Sequence, residues 1–136
     1  MAAPDPRPPA RPLSPHLQIY KWQVQMLSSI LHRATGMALV LGLLGVVWAL
    51  VALASGREAW GQFVAGAGSL PGRVLLFAFS WALAYHLING VRHLVQDAGH
   101  GFAVRDFVRS SWISLLGSVV LVVLAWAVVL LRWGIA

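Results

Sequence analysis

The 136-residue chain contains no cysteine. That excludes a disulfide framework, a thiolate-held iron–sulfur cluster and a cysteine zinc site. No phosphate-binding or dinucleotide-binding glycine motif is present either. Whatever reaction the chain serves, most of its carriers therefore sit in other polypeptides. Charge is scarce as well. Only 10% of residues are charged, where a soluble domain carries roughly 25%. Acidic residues number four against ten Lys and Arg, a net charge of +6. The basic residues form no run and flank apolar segments instead, which suits lipid head groups and membrane topology and argues against nucleic acid as a partner. Beyond the first fifteen residues only one proline remains, Pro71.

What is abundant is hydrocarbon: 59% of the residues are hydrophobic. The length allows one small bundle and no second domain. Residues 1–24 read as a proline-rich arm, "MAAPDPRPPARPLSP", followed by an interfacial segment carrying Tyr20 and Trp22. Residues 25–136 read as an all-α membrane domain of three transmembrane helices, at about 25–54, 72–96 and 110–131. Each is long enough to cross a bilayer core, which takes ~20 helical residues. With the N-terminus inside, the inner side holds Arg7, Arg11, Lys21, Arg33, Arg92, Arg105 and Arg109, and the outer side Arg57, Arg73 and Arg132. The positive-inside rule then puts the N-terminus in the cytoplasm or an organellar matrix. Trp22 and Trp112 fall at the inner interface, Trp60 and Trp133 near the outer one.

The stretch "YHLINGVRHLVQD" sets a polar seam into the second span. His86, Gly90, His93 and Asp97 stand at offsets of zero, four, seven and eleven, so they share one helix face. His86 lies ten residues short of the span's end, deep in the bilayer. A neutral imidazole there must satisfy one donor and one acceptor. A haem iron takes the acceptor nitrogen, and a backbone carbonyl or carboxylate takes the N–H. Gly90 leaves room for a flat macrocycle, and His93, Arg92 and Arg33 fall where propionates would emerge. The plainer alternative is an interhelical hydrogen bond, a structural pin. His86 and His93 are roughly 10 Å apart along one helix and cannot grip opposite faces of one iron. His16 and His100 are in loops, and His32 is close to the inner interface. A second ligand is therefore expected from another subunit.

In the first span, "SSILHRATG" brings Ser29, Arg33 and Gly36 onto one face at the inner depth of His93. Arg33 snorkelling to head groups and Ser29 bonding back to its own helix are the ordinary readings. The functional one has the hydroxyl and guanidinium hydrogen-bonding a carbonyl oxygen of a membrane quinone, where reduction builds negative charge.

The ordered motifs "RPLSPHLQIY", "SSILHRATG" and "HLINGVRHLVQD", from Arg11 to Asp97, resemble the cytochrome b subunit of succinate dehydrogenase, its mitochondrial-type branch in particular. The resemblance implies three transmembrane helices forming half of a bundle with a second small anchor subunit. It implies His86 as an axial ligand of haem b, with the opposite ligand from that partner. His32, Arg33 and His93 would lie near the propionates, and Ser29 and Arg33 would line the ubiquinone site. An iron–sulfur subunit and a flavoprotein subunit would deliver electrons from succinate, and the chain alone would catalyse nothing. A bacterial inner membrane is favoured over an organellar one. Asp97 is left open between an ion pair with Arg92 or His93 and a mechanistic role. Three rivals stand beside this reading. One is a haem-free structural anchor with the histidine seam as glue. Another is the anchor of a quinol:fumarate reductase. The third is a proton- or ion-conducting subunit, disfavoured because the third span has no ionisable residue and the first has none after Arg33.

Overall fold

Helix α1 runs from Val24 to Ser55, 32 residues, in a computed structural model that describes residues 19–133. The proline-rich arm, with Arg7, Arg11 and His16, lies outside the described residues. At 1.5 Å per residue α1 is about 48 Å long, more than a ~30 Å hydrocarbon core requires. It ends at Gly56, whose φ of 109° and ψ of −177° belong to backbone that only glycine adopts readily.

Past that turn the chain forms a helix that composition conceals. Helix α2 spans Arg57–Gly68, where Gly61 and Gly66 suggest a loop. Glu58 in its first turn complements the helix dipole. Phe63 stacks on Trp60 with ring centroids 5.4 Å apart and meets Trp48 of α1 edge-on at 5.1 Å. These aromatic contacts tie a helix of low propensity to its neighbour.

Helix α3, Leu70–Asp97, begins two residues before the expected span. Pro71 sits in its first turn, where a missing N–H costs nothing, and the Ser69 side chain accepts from Gly72 N at 3.3 Å. Gly99 and Gly101, with φ of 85° and 79°, turn the chain into α4, Val104–Trp133. That helix starts six residues before the expected 110, because Arg105, Asp106 and Arg109 are unwelcome in hydrocarbon but not in a helix. Among the described residues three helices, α1, α3 and α4, are long and apolar enough to cross a membrane.

Helix α3 is central and packs against both α1 and α4. The large apolar side chains of α1 and α4 mostly face outward: Val40, Leu41, Leu44, Val120 and Leu124 are all exposed. The interior holds small and polar residues instead. Ser28, Thr35 and Ala52 are the buried residues of α1, and Ser111, Ser114, Ser118 and Val122 make a buried stripe on α4. Lipid tails are as apolar as leucine, so helices associate through close packing and hydrogen bonds. Gly42 marks one such approach: a Cβ there would overlap the Phe79 ring of α3. Gly42→Ala is expected to destabilise the chain by about 1–3 kcal/mol, the usual cost of overpacking, in thermal unfolding in detergent. Gly45→Ala, with open space around it, should leave the midpoint unchanged.

Candidate functional site

Three imidazoles gather where the N-terminal part of α1 meets the C-terminal half of α3. The His32 and His86 rings stack face to face, with centroids 4.0 Å apart and planes inclined by 10°. His93 lies 5.0 Å from His32 at 49°. The seam expected on α3 therefore meets a histidine of α1, one turn from Ser28.

The His86 ring is fixed by α1. Its Nδ1 lies 3.2 Å from the His32 carbonyl oxygen and 3.4 Å from Thr35 Oγ1. The Thr35 hydroxyl is itself committed to helix carbonyls, 2.8 Å from Leu31 O and 3.0 Å from His32 O. A carbonyl only accepts, so Nδ1 carries the proton and donates to it, and Nε2 is left as an unprotonated acceptor. That is the tautomer a metal-ligating histidine uses, with its other nitrogen held by a carbonyl. Space is made by Gly36: a Cβ there would lie 3.2 Å from His86 Cε1. Gly90 faces the His32 ring, whose Cε1 is 4.0 Å from the position a Cβ would take. His32 Nδ1 is buried and has no hydrogen-bond partner. Among the described residues no three His, Cys, Asp or Glu side chains gather to hold a metal ion. A single imidazole ligand with an oriented N–H, a neighbour lacking a partner and a glycine cradle fit an axial haem ligand supplied from one side.

Ser29 and Arg33 stand one turn apart on another flank of α1, Ser29 half-buried and Arg33 exposed. They remain on one face, as their spacing requires, and that face is not turned into the bundle.

One expectation needs correction. Arg92 does not point toward the histidine seam. It is 9% exposed, donates from Nε to Ser110 Oγ at 2.9 Å and from Nη1 to Asn89 Oδ1 at 3.1 Å, and lies 4.4 Å over the Phe107 ring. It is one residue, or 100°, away from His93 and belongs to the α3–α4 packing. Of the alternatives left open for Asp97, the ion pair with Arg92 is not formed, since that guanidinium is turned to Ser110, Asn89 and Phe107 and Asp97 is exposed.

A second polar stripe escaped the sequence reading. Tyr85, Asn89, Arg92 and Gln96 are buried on α3, spaced four, three and four residues apart. That is as regular as the histidine seam, and the spacing alone would have revealed it. It faces Ser28 and the serines of α4.

Comparison with known proteins shows the family of the chain. Residues 7–125 match the family described as succinate dehydrogenase/fumarate reductase transmembrane subunit. The chain is 43% identical over 114 residues to the succinate dehydrogenase cytochrome b556 subunit of Paracoccus denitrificans, covering 84% of this chain and 88% of that protein. It is 40% identical over 116 residues to the cytochrome b556 subunit of Rickettsia typhi, covering 85% and 90%. It is also 38% identical over 117 residues to the mitochondrial cytochrome b560 subunit of Mus musculus, covering 85% and 67%. This multi-pass membrane chain belongs to the succinate dehydrogenase/fumarate reductase transmembrane subunit family.

Proposed function

We propose that the chain is the cytochrome b anchor of a succinate:ubiquinone oxidoreductase, holding haem b through His86 and lining the quinone-reduction site with Ser29 and Arg33. The observation that carries this is the orientation of His86. Its N–H points to a backbone carbonyl 3.2 Å away, so its other nitrogen is free to bind iron. Haem b, when bound, supplies a one-electron carrier inside the membrane. His86 would hold it, with a further ligand expected from a second small anchor subunit. His32 and His93 would offer imidazole nitrogens to the propionates from α1 and α3, and Arg33 a guanidinium from the neighbouring flank of α1.

Toward quinone, Ser29 donates a hydroxyl hydrogen bond to one carbonyl oxygen and Arg33 places a fixed cation next to it. Both interactions strengthen as negative charge develops on that oxygen, which is what speeds reduction. Electrons come from succinate through a flavoprotein and an iron–sulfur subunit docked on the N-terminal side of the membrane. That side is cytoplasmic if the membrane is a bacterial inner one, as the excess of basic residues at this end favours. A complex purified through this chain should show b-type haem absorbance and ubiquinone reductase activity together. A colourless, fully active complex would instead support the haem-free anchor.

The glycine cradle gives an independent check. Gly36→Leu is expected to lower the haem-to-flavin ratio of the complex, because the side chain occupies the space of the His86 ring. Gly61→Leu, in open space on α2, should leave the ratio unchanged.

A further inference from the structure

Two fully buried polar side chains of α3 have no part in the site just proposed. Tyr85 and Asn89 are both 0% exposed. The Tyr85 hydroxyl lies 2.9 Å from the Ser28 carbonyl oxygen and 3.1 Å from Ser28 Oγ. Ser28 Oγ in turn donates to Asn89 Oδ1 at 3.0 Å. The same oxygen accepts from Arg92 Nη1 at 3.1 Å, and Arg92 Nε reaches Ser110 Oγ of α4 at 2.9 Å. One connected network thus joins all three spanning helices.

Its place on α1 matters. Ser28 and Ser29 are chemically identical neighbours, 100° apart around the helix. The apolar pattern of α1 does little to choose between them. Leu27, Ile30, Met37, Val40 and Leu41 are exposed, and in a bilayer such side chains lose little by turning from protein to lipid. Rotating α1 by one residue would bring Ser29 inward and carry Arg33 with it. What opposes that rotation is a set of directional bonds, each costly to leave unmade in a buried setting.

We propose that Tyr85 and Asn89 are positioning residues for the quinone site: by holding Ser28 against α3 they decide which of the two serines turns inward, and so present Ser29 and Arg33 to quinone. This rests on the reading of Ser29 and Arg33 as quinone contacts. Arg92 completes the device from behind, fixing the Asn89 oxygen while Ser110 and Phe107 fix the guanidinium. Tyr85 and His86 are adjacent, and they grip the carbonyls of Ser28 and His32, one turn apart on α1. The rotation that serves the quinone flank is therefore the one that orients the haem-ligand candidate.

The test uses the assembled complex. Asn89→Leu should raise KM for ubiquinone about 5- to 10-fold, the scale of one buried hydrogen bond. Its succinate oxidation by a soluble dye should stay unchanged. Tyr85→Phe should raise KM in the same direction. Asn89→Asp keeps the acceptor oxygen for Ser28 and Arg92 and should restore the original KM. A normal KM in both Asn89→Leu and Tyr85→Phe, alongside a raised KM in Ser29→Ala, overturns the positioning role and leaves the quinone reading intact. A normal KM in all three overturns both. A KM in Asn89→Asp as high as in Asn89→Leu also overturns the positioning role. If Asn89→Leu does not assemble, Tyr85→Phe, which removes a single oxygen atom, decides alone.

Discussion

The complex carrying His86→Ala is expected to lack the wild-type haem b bands in its reduced-minus-oxidised spectrum. Three features of the site make this the largest effect expected of any single substitution. The substitution deletes the one nitrogen on α3 whose protonation is set for ligation by the His32 carbonyl. It leaves no other imidazole on that face except His93, about 10 Å along the helix. It also opens the space against Gly36 that the ring filled. His32 is the one competitor, because its ring stacks on that of His86 at 4.0 Å and its Nδ1 has no partner. The double variant His32→Ala, His86→Ala is thus the stringent form of the test, and it should bind no haem at all. Bands unchanged in position and intensity in His86→Ala would contradict the assignment. The three-helix fold should survive, since Tyr85, Asn89 and Arg92 still join α1, α3 and α4.

Under the proposed reading, Arg33→Ala should slow ubiquinone reduction about 10- to 100-fold, the range for losing a hydrogen bond to a charged group. Ser29→Ala should do so by several-fold. In both variants succinate oxidation by a soluble dye should stay at the wild-type rate, because the proposed path to the dye ends before the membrane chain. The contrast between the two assays separates a quinone role from failed assembly, which would lower both equally. Arg33 is suited to the task because it is exposed on the isolated chain, where quinone or a neighbouring subunit can meet it. Arg33→Lys keeps the charge but loses the planar donor fork, and should fall between Arg33→Ala and the unaltered complex. If Arg33 only anchors α1 to head groups, Arg33→Lys should behave like the unaltered complex and Ser29→Ala should have no effect on either assay.

The spanning helices were legible in the sequence because charge-free runs such as Met37–Ala54 admit few alternatives in hydrocarbon. Their ends were less so. Helix α4 starts six residues early because "VRDFVR" is polar enough to lie outside a bilayer core yet still helical. Helix α2 was not legible at all, since its glycines argue for a loop and its order comes from Trp48, Trp60 and Phe63 packing across helices. The histidine seam could be read from spacing alone. Its meeting with His32 could not, because periodicity describes one helix and says nothing of which neighbour it faces. The same limit explains Arg92, which adjoins His93 in sequence and yet turns toward Phe107. It also explains Ser28: nothing in "SSIL" distinguishes the two serines until Tyr85 and Asn89 of α3 are in place.

The most direct test of the account is an experimental structure of the assembled complex at a resolution that shows haem and side chains. The account requires His86 Nε2 within bonding distance of the iron, its Nδ1 still on the His32 carbonyl, and an imidazole from a different polypeptide on the far face of the ring. Iron held by two residues of other chains, with His86 turned to lipid or bonded only to protein, would contradict it.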